Sequence, residues 1–184
     1  RVDRRQRQMC IRDRIKIIDD NWNELEMGMI GEVAIKSESN MLGYWGNDEA
    51  TSDCMNDEGW FKSGDMGKFD GPFLHIVDRI KDMVIRGGEN IACPEVENAI
   101  YKHPDVLEAC VFGIPDERLG ELLCASIFLK DNSTLNEETL KEFLVDKLAA
   151  FKIPATIKFS KKNLPLVASG KFNKPKLREK FMNM

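Results

Sequence analysis

The chain has 184 residues, 42% of them hydrophobic and 32% charged, and its 27 Lys and Arg against 31 Asp and Glu leave a formal net charge of -4. That is enough apolar material for one ordinary domain, or a small domain and part of another, and the mild charge excludes a general affinity for nucleic acid. No uncharged apolar run is long enough to span a bilayer.

Residues 1–13 are rich in Arg, with no apolar periodicity and no interleaved aromatics. They are read as a fragment end or a non-native extension, not as a nucleic-acid-binding arm. Position 1 is not Met and no signal-peptide pattern follows, so the chain is expected to be truncated. From Ile15 the pattern is β: Ile15 to Ile18, a turn through Asp19-Asp20-Asn21, then the alternating Gly31 to Lys36. Tyr44-Trp45, between Gly43 and Gly46, is expected to pack in a core, and Glu49-Ala50-Thr51 to start a short helix. Trp60-Phe61 leads to a Ser63-Gly64-Asp65 turn, and Met66 to Val77 reads as a hairpin bent at Asp70-Gly71-Pro72.

After Arg79 to Asp82 the composition shifts from strand-rich to mixed. Arg86-Gly87-Gly88-Glu89-Asn90 has neither G-x-G-x-x-G spacing nor a following Lys-Ser/Thr, so it is no mononucleotide cradle, only a loop where paired glycines let backbone approach a thin ligand. Cys93-Pro94-Glu95 starts a helix reaching about Lys102, with Pro favoured at the first position and Glu95 complementing the dipole. Val106 to Gly113 and Glu121 to Lys130 are apolar-rich strands separated by 114–120. Asn136 caps a helix with Leu140, Phe143, Leu144 and Leu148 on one face. Ala155 to Ser160 is a further strand and Lys174 to Phe181 a terminal helix. Cys10, Cys54, Cys93, Cys110 and Cys124 form no C-x-x-C pair, which fits reduced thiols in a cytoplasmic protein better than a disulfide framework. His75 and His103 lack metal-ligand spacing, so no built-in metal site is expected.

Two further groups of residues point to chemistry. The Asp65 carboxylate, beside Gly64, suits a vicinal diol such as a ribose, with Arg79 on the same sugar; a hairpin turn with a surface ion pair fits the same residues. Lys171 follows Ser169-Gly170 on a loop six residues beyond Pro165, among Lys161, Lys162, Lys174, Lys176 and Lys180, which also fits a solvated basic tail.

Gly28-Met29-Ile30-Gly31-Glu32-Val33, Gly43-Tyr44-Trp45, Gly59 to Asp65, Asp78 to Asn90 and Pro165-Leu166-Val167-Ala168-Ser169-Gly170-Lys171 stand in one order and spacing. Together they resemble the C-terminal portion of the adenylate-forming (AMP-binding) superfamily, most like an acyl-CoA synthetase. The resemblance implies an α+β chain: residues 14–78 as the β-rich end of a large N-terminal domain, a hinge over 79–82 that turns on Lys81, and a small α+β lid domain over 83–184. It implies an ATP-dependent ligase that makes an acyl-adenylate from a carboxylic acid, expected to be a fatty acid, and passes the acyl group to coenzyme A. By the same resemblance Asp65 and Arg79 bind the nucleotide, Lys171 serves adenylation, and Gly87, Gly88 and Glu89 line the coenzyme A channel. ATP, CoA and Mg2+ are the implied cofactors, with the metal ligands, the phosphate loop and the adenine-binding Tyr-Gly-x-Thr-Glu stretch outside this chain, which alone is expected to be inactive. Leu166-Val167, where a basic residue commonly follows the proline, and Asn173 depart from the family pattern. An adenylation domain that loads a carrier protein, and a non-catalytic binding module or remnant, remain as rival readings.

Overall fold

The computed structural model describes residues 14–182; the basic stretch 1–13 lies outside them. The chain divides into two compact units, with the boundary between Lys81 and Asp82.

The first unit is an antiparallel sheet in the order β1-β2-β3-β4, formed by β1 (Arg14–Ile18), β2 (Gly31–Lys36), β3 (Phe61–Asp70) and β4 (Phe73–Arg79). Its buried apolar residues are few: Ile17, Ile18, Val33 and Ala34. Asp70-Gly71-Pro72-Phe73 closes the expected hairpin, with Asp70 opposite Phe73. A short helix, α1 (Asp48–Cys54), starts where Asn47 Oδ1 accepts the Ala50 N–H at 3.0 Å. Tyr44 and Trp45 are not in a core. Tyr44 is 49% exposed and Trp45 fully exposed, on a loop whose Tyr44 N–H is held by Thr51 Oγ1 at 2.9 Å so that the rings turn outward. The Ser63-Gly64-Asp65 turn is also corrected, since all three residues lie inside the ten-residue β3. Gly64 takes a φ of +76°, and the pairing with β2 shifts register between Glu32 and Ala34, so the tight turn read from the sequence is a bulge in a continuous strand.

A 3-10 turn over Ile80–Asp82 spans the boundary to the second unit. Its sheet runs β6-β5-β8-β7, with β9 pairing parallel to β8, from β5 (Val84–Arg86), β6 (Glu89–Ile91), β7 (Val106–Asp116), β8 (Gly120–Leu129) and β9 (Thr156–Ser160). Three helices accompany it: α2 (Cys93–Tyr101), α3 (Glu137–Val145) and α4 (Lys174–Met182). The near-continuous apolar runs of β7 and β8 arise because both faces are covered. Side chains alternate across a strand, so Ala109, Val111, Leu123, Ala125 and Ile127 join one core with Val96 and Ile100 of α2 and Leu140 and Leu144 of α3. Cys110, Phe112 and Cys124 point the other way, into a second core with Leu164 and Leu177 of α4. The β7–β8 connection is shorter than the 114–120 loop read from the sequence, because the ladder runs on to Asp116 opposite Gly120. The fold is α+β with antiparallel sheets and few helices. Among the described residues no helix is long and apolar enough to cross a membrane.

Candidate functional site

The antiparallel register of β3 and β4 puts Asp65 opposite Arg79. Their side chains meet, Arg79 Nε lying 3.4 Å from Asp65 Oδ1 with the two side chains 55% and 34% exposed. Ser63 Oγ accepts the Asp65 N–H at 3.1 Å, and Glu32 Oε1 accepts the Gly64 N–H at 3.0 Å, so the bulge is held from both sides. Glu32, Ser63, Gly64, Arg79 and Lys81 border an open cleft of about 410 Å³. One oxygen of Asp65 approaches Arg79, and among the described residues the other makes no hydrogen bond, which leaves an acceptor pair able to take a diol. Lys81 is exposed in the 3-10 turn at the unit boundary.

Gly87 and Gly88 form the two-residue turn of a hairpin that the sequence reading took for an irregular loop, with Arg86 opposite Glu89. Both have positive φ, +60° and +86°, the conformation that closes a tight hairpin at no steric cost only with glycine. The turn is anchored: Gly87 N–H donates to Leu119 O at 2.8 Å, Ile85 N–H to Glu121 Oε2 at 2.8 Å, and Arg86 Nη1 to Phe151 O at 2.7 Å. Around Gly88 a side chain would meet nothing within 4 Å, so its backbone is open to a narrow ligand, and Glu89 beside it is exposed.

Lys171 ends a small loop closed on itself. Gly170 N–H donates to Val167 O at 2.9 Å and Val167 N–H to Lys171 O at 2.8 Å, and Leu166 bridges Phe172 beneath it. Gly170 turns the chain with a φ of +80° and open space around it. The Lys171 side chain is exposed, and among the described residues no hydrogen bond or ion pair involves its ammonium. It borders a second cleft of about 410 Å³, which it shares with Asp82, Glu97, Phe172 and Lys174.

Asn173, a departure from the family pattern, has a local reason. Its Oδ1 accepts the Lys176 N–H at 3.1 Å and its carbonyl the Leu177 N–H at 3.1 Å, so it caps α4. The sequence reading missed the Gly-Gly hairpin, whose signal was the two glycines between Val84-Ile85 and Asn90-Ile91. It also left Lys174 in the basic tail, where only the structure puts it in the cleft. Among the described residues no group of three His, Cys, Asp or Glu is placed to hold a metal ion, so no Mg2+ chemistry is assigned to them.

Residues 95–171, ending on Lys171, match the model of the AMP-binding enzyme C-terminal domain. The mitochondrial medium-chain acyl-CoA ligase of Rattus norvegicus is 43% identical over 166 residues, which cover 89% of this chain and 27% of that protein. A feruloyl-CoA synthase of Amycolatopsis is 42% identical over 168 residues, 91% of this chain and 34% of that one. Among solved structures, ATP-bound MatB from Rhodopseudomonas palustris superposes with a TM-score of 0.83 at 34% identity, covering 92% of this chain and 34% of that one. The chain thus spans about a quarter to a third of the length of the proteins it matches. By sequence and by fold, the chain is similar to part of these enzymes, and its residues 95–171 match the C-terminal domain of the AMP-binding enzymes.

Proposed function

We propose that the chain serves an ATP-dependent acid-thiol ligase, in which a carboxylate is activated as its adenylate and then passed to the thiol of coenzyme A. The observation that carries this reading is the Lys171 loop: a free, exposed ammonium at the end of the matched domain, on a turn closed by its own backbone. When a carboxylate attacks the α-phosphorus of ATP, negative charge grows on the phosphate oxygens. An ammonium brought beside it stabilises that charge by about 3 kcal/mol. Asp65 and Arg79 hold the ribose, Asp65 accepting from the diol and Arg79 fixing the carboxylate. The open Gly87-Gly88 backbone, with Glu89 beside it, lines the path of the pantetheine arm in the second step. Lys81, exposed in a short turn between two units, is the residue about which the lid domain (83–184) turns against the domain that 14–78 completes.

The relatives' names cover medium-chain acyl and feruloyl groups; a fatty acid is the acid proposed here, with ATP, CoA and Mg2+ as cofactors. First-unit side chains including Met27, Met29, Ile30, Leu42 and Phe73 are at least half exposed. That exposure supports a further segment of a longer protein covering them, and with it the reading that this stretch alone is inactive. Buried reduced thiols support a reducing compartment such as the cytoplasm.

The test is Lys171→Ala in the complete enzyme. Carboxylate-dependent pyrophosphate exchange is expected to fall at least about 100-fold, while thioester formation from preformed adenylate persists. Exchange at the wild-type rate would remove Lys171 from the reaction.

A further inference from the structure

The cleft beside Lys171 holds a second lysine whose placement is unusual. Lys174 is the first residue of α4, where a cation meets the positive end of the helix dipole and is disfavoured. It is nonetheless half-buried in the cleft with Asp82 and Glu97. Burial pushes against its charge, but Cys93, Glu97, Cys110 and Asp82 around it outweigh burial and hold the ammonium protonated above the ordinary lysine range. These neighbours are fixed: Glu97 Oε1 accepts the Val111 N–H at 2.8 Å, and the carbonyl of Asp82 accepts from Cys93 Sγ at 3.2 Å. Arg178, one turn further along α4, acts on Cys110 and does not line the cleft.

Two carboxylates and two ammoniums therefore share one cavity, and only one ammonium has settled there. From this geometry we infer that Lys174 is a positioning residue: by occupying the field of Glu97 and Asp82 it keeps those carboxylates from capturing Lys171. Opposite charges attract appreciably in a half-buried cleft. Without Lys174, the charge of Glu97 and Asp82 in the cleft is less compensated, and Lys171 borders the same space on a flexible stem. A captured Lys171 would be tethered to its own domain. Lys174 thus decides whether the other lysine stays free for an external anion. The meaning of that freedom rests on the ligase reading; the charge arrangement does not.

Competitive acetylation of the 184-residue chain with trace acetic anhydride tests it, with Lys171 read by mass spectrometry against exposed Lys162 in the same sample. In Lys174→Met, Lys171 is expected to label about fivefold more slowly, because an ion pair favours the ammonium and leaves less of the free amine, the form that attacks the anhydride. Lys174→Arg should restore the wild-type rate, as should adding Glu97→Gln to Lys174→Met. Circular dichroism reports folding; if the Met variant does not fold, Lys174→Gln, which removes the charge but keeps hydrogen-bonding capacity, makes the same comparison. Unchanged Lys171 labelling, or a slowing shared equally by Lys174→Arg, overturns the inference. No substrate takes part, so a failure here is distinct from failure of the ligase reading, which the pyrophosphate exchange of Lys171→Ala decides separately.

Discussion

Arg79 Nε stands 3.4 Å from an Asp65 carboxylate that is 34% exposed, while Arg79 itself is 55% exposed, and the pair's effect on folding and its effect on a ligand come apart. In water, such a contact adds 0 to about 1 kcal/mol to stability. A charged acceptor on a ligand hydroxyl is worth roughly 1.5–3 kcal/mol. Asp65→Asn, which keeps shape and loses charge, is therefore expected to leave the melting temperature within about 2 °C while raising the ATP KM for pyrophosphate exchange about tenfold. A large drop in melting temperature at unchanged KM would show the carboxylate to be structural. Asp65 and Arg79 were legible as a pair because their register follows from one hairpin. Lys174 was not, because Asp82 and Glu97 reach its cleft from the unit boundary and from α2, and no local pattern couples those positions.

The long elements were readable because one physical pattern dominates each. β7 and β8 carry near-continuous apolar runs since both faces are buried, and α3 carries its cap and apolar stripe within one stretch of sequence. The β5–β6 hairpin was not, since three-residue strands offer too few alternations to count and draw their stability from contacts with Leu119, Glu121 and Phe151 far along the chain. At α3 the local signal has a measurable weight. Asn136 Oδ1 accepts the Thr139 N–H at 2.9 Å and Thr139 Oγ1 accepts the Asn136 N–H at 3.2 Å, a reciprocal cap that satisfies one helix donor and one donor of the cap residue. Asn136→Ala leaves the Thr139 N–H unanswered at an exposed site where water partly replaces the bond, while the backbone N–H of residue 136 keeps Thr139 Oγ1 as its acceptor. Its expected cost is about 1 kcal/mol, a fall of roughly 4–8 °C in the melting of a unit of this size. Asn136→Asp should recover most of it, since a carboxylate accepts the same bond and complements the dipole. A null result for Asn136→Ala would mean that α3 is held by Leu140 and Leu144 alone.

At the scale of the whole chain, the two units have cores of unequal depth, and the cysteines report on them separately. Cys93, Cys110 and Cys124 are fully buried in the second unit, and Cys54 is partly exposed in the first. Burial, with the Glu97 charge adding to it, pushes the Cys110 thiol up to about 12; burial likewise pushes Cys124 up to about 11. A thiol that ionises near 9 when unfolded and only at 11 to 12 when folded makes the folded state bind more protons in between. Its stabilising effect is then complete below pH 9 and is lost as the pH climbs through the folded values. Lys174, also raised, acts in the same direction above its ordinary range. Denaturant unfolding of the second unit is therefore expected to be flat from pH 7 to 8.5 and to weaken above pH 9, by about 1 kcal/mol for each of the two thiols at pH 10. Pulsed alkylation at pH 8 checks the assignment. Cys54 should react in the native chain, whereas Cys110 and Cys124 should react only as the second unit opens, with the same denaturant midpoint as each other. Alkylation of Cys110 as fast as Cys54 under native conditions, or a midpoint that does not move between pH 8 and pH 10, would show that the second core admits solvent where α4 covers it. The helix that follows the Lys171 loop would then lack the firm seat on which any role of that lysine depends.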